Sequence, residues 1–313
     1  MKQLISLSAL ALLAACQTAP SAPAVTDPAV TETVTEDVTV TTDTTTDTAE
    51  VQAPLTPPAT QQWLYGSAEA RIALVQDWNE IARYVEAKAA NRPNASVVLA
   101  PGATAQAPDY LACGGDKPLA AVFDADETLI WNLGVTAYFD RMGQSYDPKI
   151  WDDWEKHGAG KAAAIPGVKD AFERIRAAGV EIIVNTNRDN ANHAGTAATL
   201  AAAGLGDFTY GETLFLKGDA PGGSGKDGRR YLISDNYCIV ALAGDQLGDI
   251  ADIFNDKSLT VPQRTALAMD PAFSQLWGNG WFVLPNPVYG PSIAGTLDEV
   301  FPPETYWEPA PAE

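Results

Sequence analysis

The chain has 313 residues, a net charge of -20 and an isoelectric point near 4.3. A surface this acidic repels nucleic acid and anionic lipid headgroups, so we do not expect the folded part to bind either one. It would also repel polyanionic substrates unless a metal cation neutralises the site locally. Once the N-terminal segments described next are set aside, roughly 250 residues remain, which suits one α/β domain with a modest insertion.

The first residues have the pattern of a secretory signal. Met1-Lys2 is basic, and the apolar run at residues 4–13 is too short to span a bilayer. Leu13-Ala14-Ala15-Cys16 resembles a bacterial lipobox. We therefore expect a lipoprotein signal peptide at residues 1–15 and a lipid anchor on Cys16. Gln17 stands where an Asp would favour the inner membrane, so we expect the outer membrane, facing the periplasm or the surface.

Residues 16–62 differ sharply in composition from the rest of the chain. They are rich in Thr, Pro, Ala and Val, and residues 17–62 carry seven acidic side chains with no Lys or Arg. Such a sequence predicts a disordered tether with a reach of about 35–40 Å. We expect the folded domain over residues 63–307 and a frayed tail at 308–313.

Apolar runs alternate with helical patterns along the folded part. This alternation predicts an α/β fold with a parallel sheet and helices on both faces. Helical spacing is present at residues 167–178 and 191–203. Strands are expected at residues 119–123, 180–185, 239–243 and 281–284, with a short extended piece at 211–216.

Two carboxylates follow the first of these runs, in Asp124-Ala125-Asp126-Glu127-Thr128. Like charges this close are unfavourable unless a metal cation lies between them or one carboxyl is protonated. The pattern favours a nucleophile and a general acid around a divalent ion. The alternative is an acidic turn in which Asp126 or Thr128 caps the next helix.

The later runs end in further polar groups. Thr186-Asn187-Arg188 follows the second run, Lys226 and Arg229 follow the glycine-rich residues 221–225, and Asp245 and Asp249 follow the run at 239–243. Together with Asp124 and Asp126, they supply what phosphoryl transfer through an aspartyl-phosphate requires. That chemistry needs a nucleophile, an acid/base, a hydroxyl and a cation for the phosphoryl oxygens, and oxygen ligands for Mg²⁺.

Two cysteines remain besides Cys16. Cys113 precedes the run at 119–123, and Cys238 opens the run at 239–243. If these two strands are neighbours, their starts lie at the same edge and a disulfide is feasible. Two buried thiols are the alternative.

The set of motifs resembles the haloacid dehalogenase (HAD) superfamily and, more narrowly, the lipoprotein-type class C acid phosphatases. Glu127 stands where most superfamily members have Gly, and Thr186-Asn187-Arg188, Lys226-x-x-Arg229 and the Leu-Pro-Asn-Pro-Val-Tyr-Gly stretch at 284–290 match the narrower family. The resemblance covers about residues 63–307. It implies a HAD-like Rossmannoid sheet with a small helical cap at about 132–165, and it suggests a homodimer.

The resemblance also implies roles for individual residues. Asp124 would be the nucleophile and a Mg²⁺ ligand, and Asp126 the general acid/base with its backbone carbonyl on the metal. The remaining roles are Asp245 and Asp249 in the metal site, Thr186 and Lys226 on the phosphoryl group, and Thr128, Asn187, Arg188 and Arg229 in substrate binding. Lys217 lies nearer a strand end and competes with Lys226, but the Lys-x-x-Arg spacing favours Lys226.

Three positions depart from the family pattern. Trp131 and Leu133 replace the usual Asp and Ser around Asn132, and Gln246 replaces the usual Asn. No catalytic group is lost, so these departures bear on the substrate range and not on the reaction type.

The expected cap is rich in aromatic residues, which can stack on a nucleobase. Trp151 of the cap and Tyr289 near the C-terminus are positions that face each other across the base in nucleotidases of the resembling family. We therefore expect a Mg²⁺-dependent acid phosphatase acting on phosphomonoesters, with 5'-nucleotides preferred. A phosphotransferase to alcohol acceptors and a non-catalytic, ligand-binding surface lipoprotein are the alternatives.

Overall fold

The computed structural model describes residues 55–310. The expected signal peptide, the lipidated Cys16 and most of the expected tether lie outside this range, as do the last three residues. Among the described residues, no helix combines the length and hydrophobicity needed to cross a membrane.

Nine strands and ten α-helices form over the described residues. The strands are β1 (Ala95–Leu99), β2 (Tyr110–Ala112), β3 (Leu119–Phe123), β4 (Ile130–Trp131), β5 (Ala163–Ala164), β6 (Glu181–Asp189), β7 (Leu214–Lys217), β8 (Cys238–Gly244) and β9 (Trp281–Val283). The helices are α1 (Ala59–Gln61), α2 (Ala68–Ala90), α3 (Leu133–Met142), α4 (Pro148–His157), α5 (Val168–Ala177), α6 (His193–Ala202), α7 (Asp227–Asn236), α8 (Val261–Ala268), α9 (Pro271–Ser274) and α10 (Leu297–Val300).

A five-stranded parallel sheet in the order β7-β6-β3-β8-β9 forms the centre of the fold. All five strands expected from the apolar runs take part in it, which confirms the α/β prediction. β3 lies in the middle, with its last residue Phe123 opposite Val184 of β6 and Ala243 of β8. The carboxyl ends of these three strands therefore meet at one edge.

Both faces of the sheet are covered, as the continuous apolar runs predicted. In β3, Phe123 packs on one face with Trp78 of α2 and Phe172 of α5, at ring-centroid distances of 5.4 Å each. Val122 points to the other face, into a cluster that contains Ile233 of α7 and Trp281 of β9. Every residue of β3 is buried. This burial fixes the direction in which β3 delivers the acidic residues that follow it.

The helical cap lies between β4 and β5. These two short strands pair antiparallel, with Ile130 opposite Ala164, and enclose α3 and α4. α4 approaches α6 closely at Gly195, where a Cβ atom would lie 2.3 Å from the carbonyl oxygen of Glu155. The cap is therefore held against the helix that follows β6.

Residues 59–62, which the composition assigned to the tether, are helical. α1 and a π-helix at Gln62–Gly66 precede α2. Gln61 donates a hydrogen bond to Asp140 of α3 at 3.2 Å, and Leu64 is fully buried. The contact of Gln61 with the cap is one that composition cannot show.

Exposed chain also begins earlier at the other end. Almost every residue from 291 to 310 is exposed, and Trp307 is 81 % exposed. The buried part of the domain thus ends near Gly290, before the expected tail at 308–313.

Cys113 and Cys238 form a disulfide, with Cα atoms 4.6 Å apart. The bond joins the segment before β3 to the first residue of β8, and these two strands are neighbours as the prediction required. It lies at the end of the sheet opposite the acidic residues. The β1–β2 hairpin, which pairs antiparallel beside the main sheet, was not foreseen from the sequence.

Candidate active site

The segment after β3 turns sharply and leads into β4. Glu127 has a φ of 54°, in the left-handed region that non-glycine residues seldom adopt. Its backbone N–H donates to the carbonyl of Ile130 at 2.8 Å, which closes the turn. A strand and not a helix follows, so the helix-capping interpretation of Asp126 and Thr128 is wrong. The preference for Gly at this position in related sequences has the same backbone cause.

Three carboxylates converge at the carboxyl edge of the sheet. Asp124 follows β3, Asp245 follows β8 and Asp249 ends a 3-10 turn after β8, and each offers an oxygen within 4.8 Å of the other two. The second oxygen of Asp249 accepts the backbone N–H of Gln246 at 2.9 Å, which orients this carboxylate. Gly244 leaves the space for it, because a Cβ there would lie 2.2 Å from the Cβ of Asp249.

Lys226 is the cation in contact with this group. Its Nζ contacts Asp124 and lies 2.7 Å from Asp249, and its side chain is buried. The backbone N–H of Lys226 donates to Asp252 at 2.7 Å, which fixes the start of α7. Lys217, the competing candidate, is half-exposed and lies 3.4 Å from Asp189. The structure thus brings Lys226, and not Lys217, to the carboxylates.

Burial makes the charge on these carboxylates unfavourable. Burial raises the pKa of Asp124 to about 7, with Asp249 and Asp126 adding to the shift and Lys226 opposing it. Burial also raises the pKa of Asp245 well above its usual range, with Asp249 and Asp124 adding to the shift. For Lys226, burial favours the neutral amine, but Asp124 and Asp249 outweigh it and leave its pKa raised. One ammonium group thus faces three carboxylates.

The same charge balance fits a divalent cation. Three oxygens from separate carboxylates lie together, and hard cations such as Mg²⁺ prefer oxygen ligands. Lys226 offsets only one of the three negative charges, so a doubly charged ion would complete the balance. Asp245 is oriented for such a role, because its Oδ2 accepts hydrogen bonds from Gln246 and Asn286 at 2.7 Å each.

Asp126 faces away from this group and is held by other side chains. Arg188 donates to its Oδ1 from Nη2 at 2.8 Å and from Nε at 3.0 Å. Asn132 donates to the same oxygen at 2.9 Å. The Asn132 carbonyl in turn accepts from Arg188 at 2.9 Å and from Trp154 of the cap at 2.8 Å. The two carboxylates of Asp-x-Asp therefore have different partners, which is what different chemical roles require.

Glu127 receives hydrogen bonds from distant parts of the chain. The hydroxyl groups of Tyr65 and Tyr289 donate to its two oxygens at 3.2 Å and 2.6 Å. The backbone N–H of Asn132 adds a bond of 2.9 Å. Burial raises the pKa of Glu127, and the charge on Asp126 adds to this effect. Glu127 thus orients Tyr289 and Asn132 from behind the site.

A cavity of about 590 Å³ opens over these groups and is here called the catalytic cavity. Its lining includes Asp124, Asp126 and Lys226 together with aromatic residues of the cap. Trp151 and Tyr289 both line it. Tyr289 is 42 % exposed as a residue, although its hydroxyl is bonded to Glu127.

Not every predicted site residue lines the catalytic cavity. Asp124, Asp126, Asn187, Lys226, Asp245, Asp249, Trp151 and Tyr289 do. Thr186 is fully buried within β6, where its hydroxyl accepts the backbone N–H of Arg188 at 3.2 Å.

Three residues expected to bind substrate lie behind residues that line the cavity. Arg188 is bonded to Asp126, Arg229 donates to Asn187 at 2.6 Å, and the Thr128 hydroxyl lies 3.4 Å from Asp245. We expected Thr128, Arg188 and Arg229 to contact the substrate directly. In the structure they instead orient neighbouring side chains that line the cavity. All three side chains are buried. Each contacts a polar group, Asp245, Asp126 or Asn187, and such contacts offset hydrogen bonds to water that are lost on burial.

Sequence reasoning also missed three residues that organise the site. Glu127 and Asn132 were noted only as family features, and Asn286 only as part of the C-terminal motif. The sequence did contain one signal for such residues. Asn132 lies between the apolar Trp131 and Leu133, which indicates a buried polar side chain that needs hydrogen-bond partners. Their partners, however, are distant in sequence and could not be paired without the fold.

Comparisons with known proteins agree with this geometry. The sequence profile of the HAD superfamily, subfamily IIIB (acid phosphatase), matches residues 59–292. The structure of the class C acid phosphatase from Bacillus anthracis superimposes with a TM-score of 0.57 at 26 % identity, covering 74 % of this chain and 84 % of that one. A second structure of that enzyme, with tungstate bound, gives a TM-score of 0.58 at the same identity and coverage.

A curated relative matches over a shorter region. Acid phosphatase 1 of Solanum lycopersicum is 27 % identical over 144 residues, which are 44 % of this chain and 54 % of that protein. The chain therefore spans about half the length of this relative. The family profile covers most of the chain, and its fold is that of the solved relatives. The chain belongs to the HAD superfamily, subfamily IIIB, the acid phosphatase subfamily.

Proposed function

We propose that the chain is a Mg²⁺-dependent acid phosphatase that hydrolyses phosphomonoesters through an aspartyl-phosphate on Asp124. The observation that carries this proposal is the convergence of Asp124, Asp245, Asp249 and Lys226 in one cavity, with Asp126 held separately by Arg188. A carboxylate nucleophile and a second carboxyl group in a different environment are the two groups that this reaction requires.

The reaction proceeds in two steps. An oxygen of Asp124 attacks phosphorus, the bond to the leaving oxygen breaks, and Asp126 gives that oxygen a proton. Asp126 then takes a proton from water as the water attacks the phosphoryl group, which releases phosphate and restores Asp124. Lys226 supplies positive charge to the phosphoryl oxygens. A divalent cation, which Asp124, Asp245 and Asp249 would hold, would add to that charge when bound. Asn187 of β6 lines the catalytic cavity and adds a phosphoryl contact. The buried Thr186 beside it acts on the backbone of β6, through its bond to Arg188.

Nucleoside 5'-monophosphates are the substrate class that the catalytic cavity fits best. Trp151 and Tyr289 offer ring faces on one cavity of about 590 Å³, which is in the usual range for small-molecule sites. Stacking of this kind tolerates any base. The solved relative binds tungstate, which is an oxyanion, and this supports an oxyanion-binding site in this chain.

The experiment is a phosphate-release assay on the full chain in detergent. The panel holds nucleoside 5'-monophosphates, nicotinamide mononucleotide and p-nitrophenyl phosphate, each with Mg²⁺ and with chelator. Chelator-sensitive release that favours nucleotides supports the whole proposal. Release without nucleotide preference would contradict the stacking of a base on Trp151 and Tyr289 and leave the rest of the proposal standing. Transfer of phosphate to an added alcohol would favour the phosphotransferase alternative, and no release at all would favour a ligand-binding lipoprotein.

We further propose that residues 1–15 are a signal peptide and that Cys16 is lipidated, which anchors the chain to the outer membrane through the tether. The acidic charge of the chain is consistent with attachment by lipid alone. Metabolic labelling with a radioactive fatty acid should mark the wild-type chain and not Cys16→Ser. Fractionation of the envelope tests the membrane, and sedimentation of the detergent-free Cys16→Ser protein tests the proposed homodimer.

A further inference from the structure

A second cavity of about 510 Å³ adjoins the catalytic cavity and is here called the lateral cavity. Asn187, Gln246, Asp249 and Tyr289 line both cavities. Because these four residues are shared, the two cavities are neighbouring parts of one cleft. A substrate whose phosphoryl group lies at Asp124 can therefore reach the lateral cavity without leaving the protein surface.

The lateral cavity combines apolar walls with two cations. Phe254, Val261 and Ala294 contribute to its apolar surface, and Lys257 and Arg264 are its basic residues. Such a combination of apolar surface and a few polar groups is typical of small-molecule sites.

Arg264 is held in place but not neutralised. Its Nε donates to the backbone carbonyl of Phe254 at 3.0 Å, whereas its Nη2 is buried without a hydrogen-bond partner. A buried donor without an acceptor is costly unless a ligand or water supplies one. Burial also lowers the pKa of Arg264.

Neither cation is paired within the described part of the chain. Over residues 55–310, no carboxylate oxygen lies within 4.0 Å of a side-chain nitrogen of Lys257 or Arg264. Asp256 lines the same cavity, but its carboxylate accepts hydrogen bonds from the backbone and hydroxyl of Ser258 at 2.9 and 2.8 Å.

Two other basic residues around the cleft have carboxylate partners. Lys226 contacts Asp124 and Asp249, and Arg188 contacts Asp126. Arg229 resembles Arg264 instead, because it donates to the neutral amide of Asn187 and its Nε is buried without a partner. Lys257 and Arg264 thus differ from Lys226 and Arg188 in a chain whose net charge is -20. Unpaired cations beside a phosphoryl site are suited to an anion.

We propose that the lateral cavity binds a second anionic group of the substrate. Preferred substrates are then phosphomonoesters whose alcohol part carries a further phosphate or carboxylate, recognised by Lys257 and Arg264. The proposal rests on the proposed function, because it places the reacting phosphoryl group at Asp124.

The test compares adenosine 5'-monophosphate with adenosine 3',5'-bisphosphate in the full chain. Wild-type protein should show a kcat/KM for the bisphosphate higher by about tenfold or more, since a charged hydrogen bond is worth roughly one to two powers of ten. Lys257→Gln and Arg264→Gln should each reduce this preference severalfold and leave the monophosphate rate within about twofold. Lys169→Gln, which removes the same charge on α5, is the matched control and should behave as wild type.

Each outcome separates the proposal from the general function. If wild type hydrolyses both compounds equally, or if Lys169→Gln loses the preference as well, the lateral cavity is not an anion site. If no compound releases phosphate, the proposed function itself fails. Because Arg264→Gln removes the bond to Phe254 and can affect folding, its melting temperature is measured in parallel. Lys257 is exposed, so Lys257→Gln decides the matter if the Arg264 variant is unstable.

Discussion

Two nitrogen atoms of Arg188 donate hydrogen bonds to Asp126, and the shortest bond of each goes to the same carboxylate oxygen, Oδ1. Nη2 and Nε lie 2.8 and 3.0 Å from Oδ1, whereas the contact of Nε with Oδ2 is 3.2 Å long. Asn132 also donates to Oδ1. On the proposed mechanism, Oδ2, which accepts the longer bond from Nε, is the oxygen that carries the proton for the leaving group. Arg188 is therefore a positioning residue and Asp126 the catalytic one.

Replacing Arg188 with Met should destabilise the protein and reduce kcat. The arginine side chain is fully buried and that of Asp126 is 15 % exposed, so removal of the cation leaves a carboxylate largely buried without its partner. Breaking such a pair costs about 3 kcal/mol or more. Urea unfolding measures this loss, and steady-state kinetics measures the fall in kcat.

The double variant Arg188→Met/Asp126→Asn separates stability from catalysis. It should regain most of the lost stability, because no charge is left unpaired, but it should remain inactive. Arg83→Met is the matched control, since Arg83 pairs with Glu80 on the surface and its loss should cost under about 1 kcal/mol. Equal costs for Arg188→Met and Arg83→Met would contradict this account.

Asp124→Asn should abolish turnover without unfolding the protein. An amide cannot form the acyl-phosphate, so we expect the rate to fall by about four powers of ten or more. The fold should persist because burial already disfavours the charge on Asp124, as its raised pKa shows. Circular dichroism and thermal melting check the fold. Phosphate release near the wild-type rate from this variant would refute the mechanism.

Binding of Mg²⁺ should stabilise the protein more at pH 7.5 than at pH 5. Metal ligands must be deprotonated, and the pKa of Asp124 is about 7 while that of Asp245 is also raised. At pH 5 protons therefore compete with the ion. A ligand at 100 times its Kd stabilises by about 2.7 kcal/mol, which a thermal melt detects easily. Asp245→Asn should lose most of the shift at either pH, and an unchanged shift would place the ion elsewhere.

Asp77→Asn should stabilise the protein at neutral pH and not in acid. Burial raises the pKa of Asp77 to about 6 from an ordinary value near 3.8. The stability that the carboxyl contributes is thus fully present below about pH 3.8 and is lost as the pH rises through 6. Since the side chain is only half-buried, we expect the neutral Asn to gain about 1 kcal/mol at pH 7.5. Urea unfolding at pH 4 and 7.5 measures it, with the exposed Asp207→Asn as a control that should show no such gain.

The sheet and most of the site were predictable because their signals are local. β3 and β8 are continuous apolar runs, and each delivers an aspartate directly at its end. Parallel strands bring such ends together whatever the connections between them. The same reasoning made the Cys113–Cys238 disulfide feasible but left two buried thiols as the alternative, because the order of the strands was not known.

The unpredicted parts depend on contacts between distant residues. The direction of the Arg188 side chain depends on Asp126, which is 62 positions away. The left-handed backbone of Glu127 is likewise set by its neighbours, because its side chain gains hydrogen bonds that offset an unfavourable φ.

The two hydroxyl groups on Glu127 set the minimal length of a working domain. Tyr65 lies before α2 and Tyr289 after β9, so both chain ends of the folded unit reach the turn that follows β3. A fragment from α2 to β9 would contain every acidic residue of the site but neither tyrosine. It would leave the buried Glu127 short of two donors and Asn132 less firmly oriented. The smallest autonomous enzyme is therefore longer than the segment that carries its catalytic groups.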